Sequence, residues 1–288
     1  PSLDVTILQM GRFVSYASCP TPYYIGDMIK DANQLIARTP EKFRDGGIDV
    51  QLDAEVVNIH TKEPSVEVKD GRRFPYDVLV MATGTAAVVP NMPGVHLPGV
   101  FSLRNLEDAI HIKTWNKRNN AKRVVVIGGG FIGLEMSEAL YAAGVKTTII
   151  HKDPLPANRW DRALSSMMLE DLQAHGVDFV GNAAAQAIEE GTNAPLRVKT
   201  DKGEYEGDLV LLAIGVRPDS RLAQSIGLKV GSSGAIAVNF AQQASMENVY
   251  AAGDCCESFH RVSRRWVNIP LGDIGNKPGR VARRNIRR

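Results

Sequence analysis

"KRVVVIGGGFIGLEMSEALYAAGVKTTIIHK", residues 122–152, decides the fold. VVVI is a short, β-branched apolar run of the kind that forms a buried strand. A glycine-rich turn follows, then a helical pattern, then a second strand, TTIIH. Strand, turn, helix, strand is the context that Gly128-x-Gly130-x-x-Gly133 requires; outside it the pattern is weak. The first glycine allows the tight turn, the second lets the backbone approach a pyrophosphate, and the third packs helix against strand. Phe131 and Ile132 lie between them, where the helix N-terminus offers free N–H groups and the positive end of its dipole to phosphates. The end of the next strand reports which dinucleotide is bound. An acid there accepts from the ribose of NAD, whereas His151-Lys152, with Arg159 nearby, favours the 2′-phosphate of NADPH over NADH. Lys152 reads equally well as a solvated strand-end lysine.

Outward from this stretch the sequence echoes itself. DVLVMATG (77–84) and DLVLLAIGVRP (208–218) are each preceded by short alternating strands, and in each an apolar strand ends in a glycine. LDVTIL (3–8), QLDAEVVNI (51–59), SVEVKD (65–70), GVDFV (176–180) and IAV (236–238) read as strands, and FPYDVLVMAT (74–83) as a strand buried on both faces. Ile25, Met28, Ile29, Ala32 and Ile36 recur at helical spacing and predict a helix over 22–38, with Pro22 in its first turn. Further helices are expected near 161–175 and from about Gly275. Residues 85–100, rich in proline and glycine, read as a connection. Two nucleotide-binding domains of related design produce such an echo.

The bulk numbers agree with this. The 288 residues suffice for two domains, and the composition, 44% hydrophobic and 23% charged with 26 glycines, is that of a globular protein. A net charge of +2 argues against nucleic acid as a partner. Basic residues do cluster at Arg261, Arg264 and Arg265, and at Arg280, Arg283, Arg284, Arg287 and Arg288, which a solvated face explains. No apolar run approaches the ~18 residues of a membrane span, no signal peptide is evident, and no metal site is expected. Three cysteines, two of them adjacent, are not a disulfide framework, so a cytoplasmic protein is expected. Pro1, in place of methionine, suggests that the true start is missing.

SYASCPTPYYIG (15–26) holds the third cysteine, Cys19, ahead of the predicted helix. A lone cysteine is often a small buried hydrophobe. At a helix N-terminus it is also placed to have its thiol pKa lowered. Ser15 is either a hydrogen-bond donor to that sulfur or a turn hydroxyl satisfying the backbone.

DVLVMATG (77–84), VIGGGFIGLE (126–135), LLAIGVRP (211–218) and VYAAGDCCE (249–257), in that order, resemble the FAD-dependent pyridine nucleotide-disulfide oxidoreductases over essentially the whole chain. The resemblance implies an α/β fold of three layers with two Rossmann-like dinucleotide-binding domains, one for FAD and one for NAD(P). The FAD domain is expected over 1–103 and 234–288, and the NAD(P) domain over 104–233. Within the family, Ser15, Cys19, Pro22 and Tyr23 resemble the single-cysteine branch, which includes coenzyme A disulfide reductases, persulfide or polysulfide reductases, and NADH oxidases and peroxidases. Tyr24 stands where two-cysteine members carry their second cysteine.

The resemblance implies that Cys19 lies against the flavin and works with Ser15 and Tyr23. It implies that Thr83 and Gly84 pass close to FAD, and that Asp254, after Gly253, accepts from its ribityl chain. Glu135 is implied near the nicotinamide, with Gly215 shaping that pocket. NIPLGDIGNKPGR (268–280) resembles the stretch whose helix points at the flavin pyrimidine. Cys255 and Cys256 read as packed small side chains. The expected function is reduction of a disulfide or persulfide, such as coenzyme A disulfide, by NADPH or NADH through FAD and Cys19. An NAD(P)H oxidase or peroxidase using a Cys19 sulfenic acid, and a non-catalytic nucleotide-binding fragment, are the alternatives. The family begins with its own glycine motif for FAD and ends in a dimerisation domain. This sequence is expected to lack both, and its full-length form to be a homodimer with a small thiol or disulfide as partner.

Overall fold

The computed structural model describes residues 3–286; Pro1, Arg287 and Arg288, singled out above, lie outside the described residues. The chain divides into two compact units. The glycine-turn unit comprises Ser15–Thr39 and Ala87–Gly215. The second unit comprises the described residues up to Val14, then Pro40–Ala86, and the chain from Val216 on.

The glycine-turn unit is built on a five-stranded parallel sheet. In spatial order its strands are Asp178–Val180, Lys146–Ile150, Arg123–Ile127, Leu209–Leu212 and Val100–Ser102. Two of the three inner strands, RVVVI and LVLL, are buried nearly throughout, because both faces of the sheet are covered. On one face, Val125, Ile127, Val210 and Leu212 pack with Ile188, Leu196 and Val198 of an antiparallel meander. That meander is formed by Ala185–Glu190, Leu196–Thr200 and Glu204–Gly207. The alternate residues Val124, Val126, Leu209 and Leu211 are equally buried on the opposite face, where Leu106–Asn119 and Phe131–Ala142 are the neighbouring helices. Helices, sheet and meander make three layers. Each fully buried aliphatic side chain there contributes roughly 1.5–3 kcal/mol relative to exposure. Helix Leu106–Asn119 starts cleanly because Asn105 and Asp108 form a reciprocal capping box, and ends at Asn120, whose φ of +47° is left-handed.

The second unit is assembled from small sheets. Val5–Leu8 pairs in parallel with Ile48–Gln51, and Leu79–Met81 with Val249–Ala251. Val56–His60, Ser65–Val68 and Arg73–Pro75 form an antiparallel meander. Its core gathers Ile59, Met81, Ile236, Ala251, Cys255 and Cys256. A hairpin, Ser258–His260 with Arg265–Val267, precedes the helix Gly272–Ile286.

Several sequence expectations are corrected. The helix over 22–38 is only Thr21–Ile25, followed by a 3-10 turn at Ala32–Leu35. It stops because Asp27 takes a left-handed φ of +64°, and Met28, one of the periodic positions, is 51% exposed. FPYDVLVMAT is not one strand buried on both faces. It splits into Arg73–Pro75 and Leu79–Met81, and Val80 is exposed; Pro75 has no N–H with which to continue a ladder. QLDAEVVNI breaks at Asp53, φ +51°. IAV makes only isolated bridges, through Ile236.

Candidate active site

The glycine turn lies in the glycine-turn unit at the carboxyl end of Arg123–Ile127, beside the carboxyl end of its neighbour Leu209–Leu212. These strands stand where the chain's course through the sheet reverses direction, which is where open α/β sheets bind ligands. The three glycines differ in physical reason. Gly128 has φ +114°, and a Cβ there would collide with the carbonyl oxygen of Ala213. A Cβ on Gly133 would strike the Gly128 carbonyl oxygen, so the third glycine lets the helix close on the strand. Gly130 caps the helix with extended backbone, and a Cβ there would meet nothing within 4 Å. Among the described residues no neighbour demands a glycine at 130, whereas backbone approach by a pyrophosphate does. The turn therefore fits a dinucleotide.

Around it, Phe131 is half exposed and meets the ring of Trp160 edge-on at 6.0 Å, while Ile132 is half-buried. Glu135 projects one turn into the helix. It is exposed by surface area, yet the surrounding protein desolvates its carboxyl enough to raise its pKa, and the Glu138 charge adds to the rise. Gly215 has φ +119° and its carbonyl accepts the Val88 N–H at 2.9 Å.

His151 directly follows strand Lys146–Ile150 and turns inward. Its Nδ1 accepts the Gly129 N–H at 3.1 Å, its backbone N–H donates to Val180, and its carbonyl accepts from Ala183. Burial lowers its pKa against the opposing pull of Asp153, so the imidazole is neutral, with the proton on Nε2. Lys152 is exposed.

Cys19 is exposed, and Cys255 and Cys256 are buried; all three are free thiols. Cys19 precedes Pro20, the N-cap of helix Thr21–Ile25. Among the described residues its sulfur and the Ser15 hydroxyl do not bond to each other; the Ser15 carbonyl accepts instead from Ala37 and Arg38. Half-buried Tyr23 accepts through its carbonyl from Met28 and Ile29. The segment is held by the buried Lys113, which the sequence reading did not single out. Its ammonium donates to the carbonyls of Tyr24 (2.6 Å) and Ile29 (3.0 Å), pairs with Asp27 at 2.9 Å and sits 3.8 Å from the centre of the Tyr24 ring. The Lys113 hydrogen bond is the main reason the Asp27 carboxyl is held below the usual range. On the other side, a Cβ on Gly26 would collide with the Ala139 carbonyl, so this segment also lies tight against helix Phe131–Ala142.

In the second unit, Thr83 donates through its hydroxyl to the Asp219 carbonyl, and the Gly84 carbonyl accepts the Asp219 N–H at 2.9 Å. Gly253 has φ +84° and nothing within 4 Å of its Cβ position; Gly84 has φ +66°. The Asp254 carboxylate lies 3.6 Å from where a Gly275 Cβ would be, at the first turn of helix Gly272–Ile286. Asn268 ties the loop by donating to the carbonyls of Asp254 and Cys256. An open glycine, a carboxylate and a helix start converging on one loop fit a polar cofactor such as FAD. Cys255 is packed with its thiol toward the carbonyls of Met81 and Ala252. Its hydrogen bond to Cys256, with burial, pushes the Cys256 thiol pKa up.

Gly128, Gly130, Phe131, Ile132, Gly133, Glu135, His151 and Lys152 are thus gathered around one turn, and Thr83, Gly84, Gly253 and Asp254 belong to the second unit. Ser15, Cys19 and Tyr23 lie on the segment that Lys113 holds. The sequence carries one signal for Lys113: in helix Leu106–Asn119 it follows Leu106 by seven residues and Ala109 by four, which puts a lysine on the face of those buried residues.

A family model described as pyridine nucleotide-disulphide oxidoreductase matches residues 1–269. The chain is 39% identical over 292 residues to the NAD(P)H sulfur oxidoreductase (CoA-dependent) of Pyrococcus abyssi, covering 99% of this chain and 64% of that protein. It is 31% identical over 274 residues to the coenzyme A disulfide reductase of Staphylococcus aureus, covering 93% of this chain and 61% of the relative. The crystal structure of reduced CoADR-RHD from Bacillus anthracis superposes with a TM-score of 0.92 at 32% identity, over 98% of this chain and 52% of that one. The chain therefore spans less than two thirds of the length of these relatives, and the α/β fold with Rossmann-type domains is common to them.

Proposed function

Because this chain belongs to the pyridine nucleotide-disulphide oxidoreductase family, we propose that it is the catalytic part of a flavin-dependent NAD(P)H oxidoreductase. Its substrate is a disulfide or persulfide, such as coenzyme A disulfide, reduced through the single thiol of Cys19. The observation that carries this reading is the setting of that thiol: exposed, beside a helix start, while the other two cysteines are buried. The names of relatives that act on coenzyme A-linked sulfur support it.

In this reading the glycine turn of residues 128–133 holds the pyrophosphate of NADH or NADPH, and Glu135 and Gly215 border its nicotinamide. Thr83, Gly84, Gly253 and Asp254 hold FAD. We assign the FAD domain to 1–103 and 234–288, and the NAD(P) domain to 104–233. Bound FAD supplies a two-electron relay between nicotinamide and sulfur. The Cys19 thiolate attacks one sulfur of the substrate disulfide, forms a Cys19 mixed disulfide and expels the first thiolate. Two electrons and a proton then release the second thiol and restore the Cys19 thiolate. Ser15 and Tyr23 border the mixed disulfide. The working form is a cytoplasmic homodimer.

The test is anaerobic reduction of the purified protein with NADH or NADPH, followed by coenzyme A disulfide. Reoxidation by the disulfide, lost in Cys19→Ser, is expected. Reoxidation only by oxygen or peroxide, with a sulfenic acid trapped on Cys19, would make the chain an oxidase or peroxidase. A colourless protein that takes up no flavin would leave a nucleotide-binding fragment.

A further inference from the structure

We propose that Asp153, three residues beyond the end of the strand, is the acid that reads the adenosine ribose, and that its carboxylate makes NADH the preferred donor over NADPH. The inference deepens the reading of the glycine turn as a dinucleotide site and rests on it.

In a dinucleotide-binding βαβ unit, the group that meets the ribose hydroxyls stands at the end of the second strand, about 20 residues past the glycines. By position that residue is His151. Its side chain is only 10% exposed, however, and its Nδ1 is taken up by the Gly129 N–H. It props the turn from beneath, where a ribose cannot reach it. With Nδ1 acting as acceptor the ring carries its proton on Nε2, so it brings no positive charge to a 2′-phosphate. Nε2 is buried, and among the described residues it has no hydrogen-bond partner. It points toward Oδ2 of Asp153, 3.6 Å away and just beyond hydrogen-bond reach.

Asp153 therefore occupies the place next to the strand end, and its side chain remains 35% exposed. Three contacts hold it there. Asn158 donates to Oδ2, the Asp153 carbonyl accepts the Asn182 N–H at 3.1 Å, and the neighbouring Ala157 N–H donates to the Gly129 carbonyl at 2.8 Å. The loop from Asp153 to Asn158 is thus bonded back onto the glycine turn. A fixed, partly exposed carboxylate accepts well from a ribose hydroxyl and repels a phosphate dianion. Lys152 and Arg159 are exposed on the same loop. They are the cations a 2′-phosphate would meet once the carboxylate charge is removed.

The experiment is titration of NADH and NADPH into wild-type protein and Asp153→Asn, read by nicotinamide fluorescence, with thermal melting as a control for folding. Asn158 and Asn182 keep their partners in the variant. The expected result is weaker NADH binding and equal or tighter NADPH binding, so that the preference moves toward NADPH by about tenfold or more. An unchanged preference, or an equal loss for both dinucleotides, would overturn the proposal. Wild-type protein titrated with the 2′-deoxyadenosine analogue of NADH tests the same contact without a mutation: binding should weaken about tenfold, and equal binding would refute it. Failure of wild-type protein to bind either dinucleotide would remove the site itself, and the proposal with it. That outcome is distinct from binding without discrimination by Asp153.

Discussion

Replacing Lys113 by methionine tests the account of how the Cys19 segment is held. Methionine keeps most of the side-chain volume, so the loss is electrostatic rather than a cavity. Removing one partner of a buried ion pair costs about 3–5 kcal/mol. Here Asp27 is 40% exposed and keeps Lys117 at 3.3 Å, which cuts that cost. Two backbone carbonyls, those of Tyr24 and Ile29, lose their donor as well, at about 1 kcal/mol each when partly rehydrated. The sum is about 3 kcal/mol, or roughly 6–12 °C in melting temperature for a unit of this size. Urea unfolding at pH 7 should show that loss, and hydrogen exchange should rise in residues 21–30 before elsewhere. The pH dependence has a definite sign. The Asp27 carboxyl is held low in the folded chain, so its stabilisation is complete above the unfolded aspartate value of about 3.9 and fades as pH falls below it. Lys113→Met should weaken that acid dependence. A loss under about 1 kcal/mol, or exchange unchanged over 21–30, would refute the idea that Lys113 fastens this segment.

Two further outcomes are expected. Gly130→Ala should leave the melting temperature nearly unchanged, since the new methyl meets nothing within 4 Å, while NADH or NADPH affinity falls; Gly133→Ala, whose methyl meets the Gly128 carbonyl, should destabilise by about 1–3 kcal/mol. Melting curves and nucleotide titrations of the pair separate a ligand-facing glycine from a packing glycine. His151 has its pKa lowered chiefly by burial, so the unfolded chain takes its proton first. Its contribution is present above the unfolded value of about 6.5 and is lost as pH falls below it. His151→Asn, which keeps an acceptor for the Gly129 N–H, should flatten stability between pH 7 and 5 in denaturant titrations; an unaltered slope would show that His151 is not buried in its neutral form.

What the sequence determined alone was the part dictated by local sterics and by burial on both faces. VVVI and LVLL are apolar at every position because helices cover one face of their sheet and a meander the other. The glycines at 128 and 133 are readable because no other residue lets the turn and the helix close so tightly. The segments that misled are those where tertiary contact overrides periodicity. The spacing of Ile25, Met28 and Ile29 is helical, yet a left-handed Asp27 and the fit of Gly26 against Ala139 end the helix. DVLVMATG repeats the pattern of DLVLLAIG, but Val80 is exposed where Leu211 is buried, since similar strings acquire different neighbours. Charge at the end of strand Lys146–Ile150 was likewise undecidable from sequence. His151 and Lys152 read as two cations side by side. Only the packed structure sends the histidine inward to the Gly129 N–H, where burial removes its charge, and brings forward the carboxylate of Asp153. Which side chains share one environment depends on how distant segments meet, and linear spacing does not encode that beyond a turn or two.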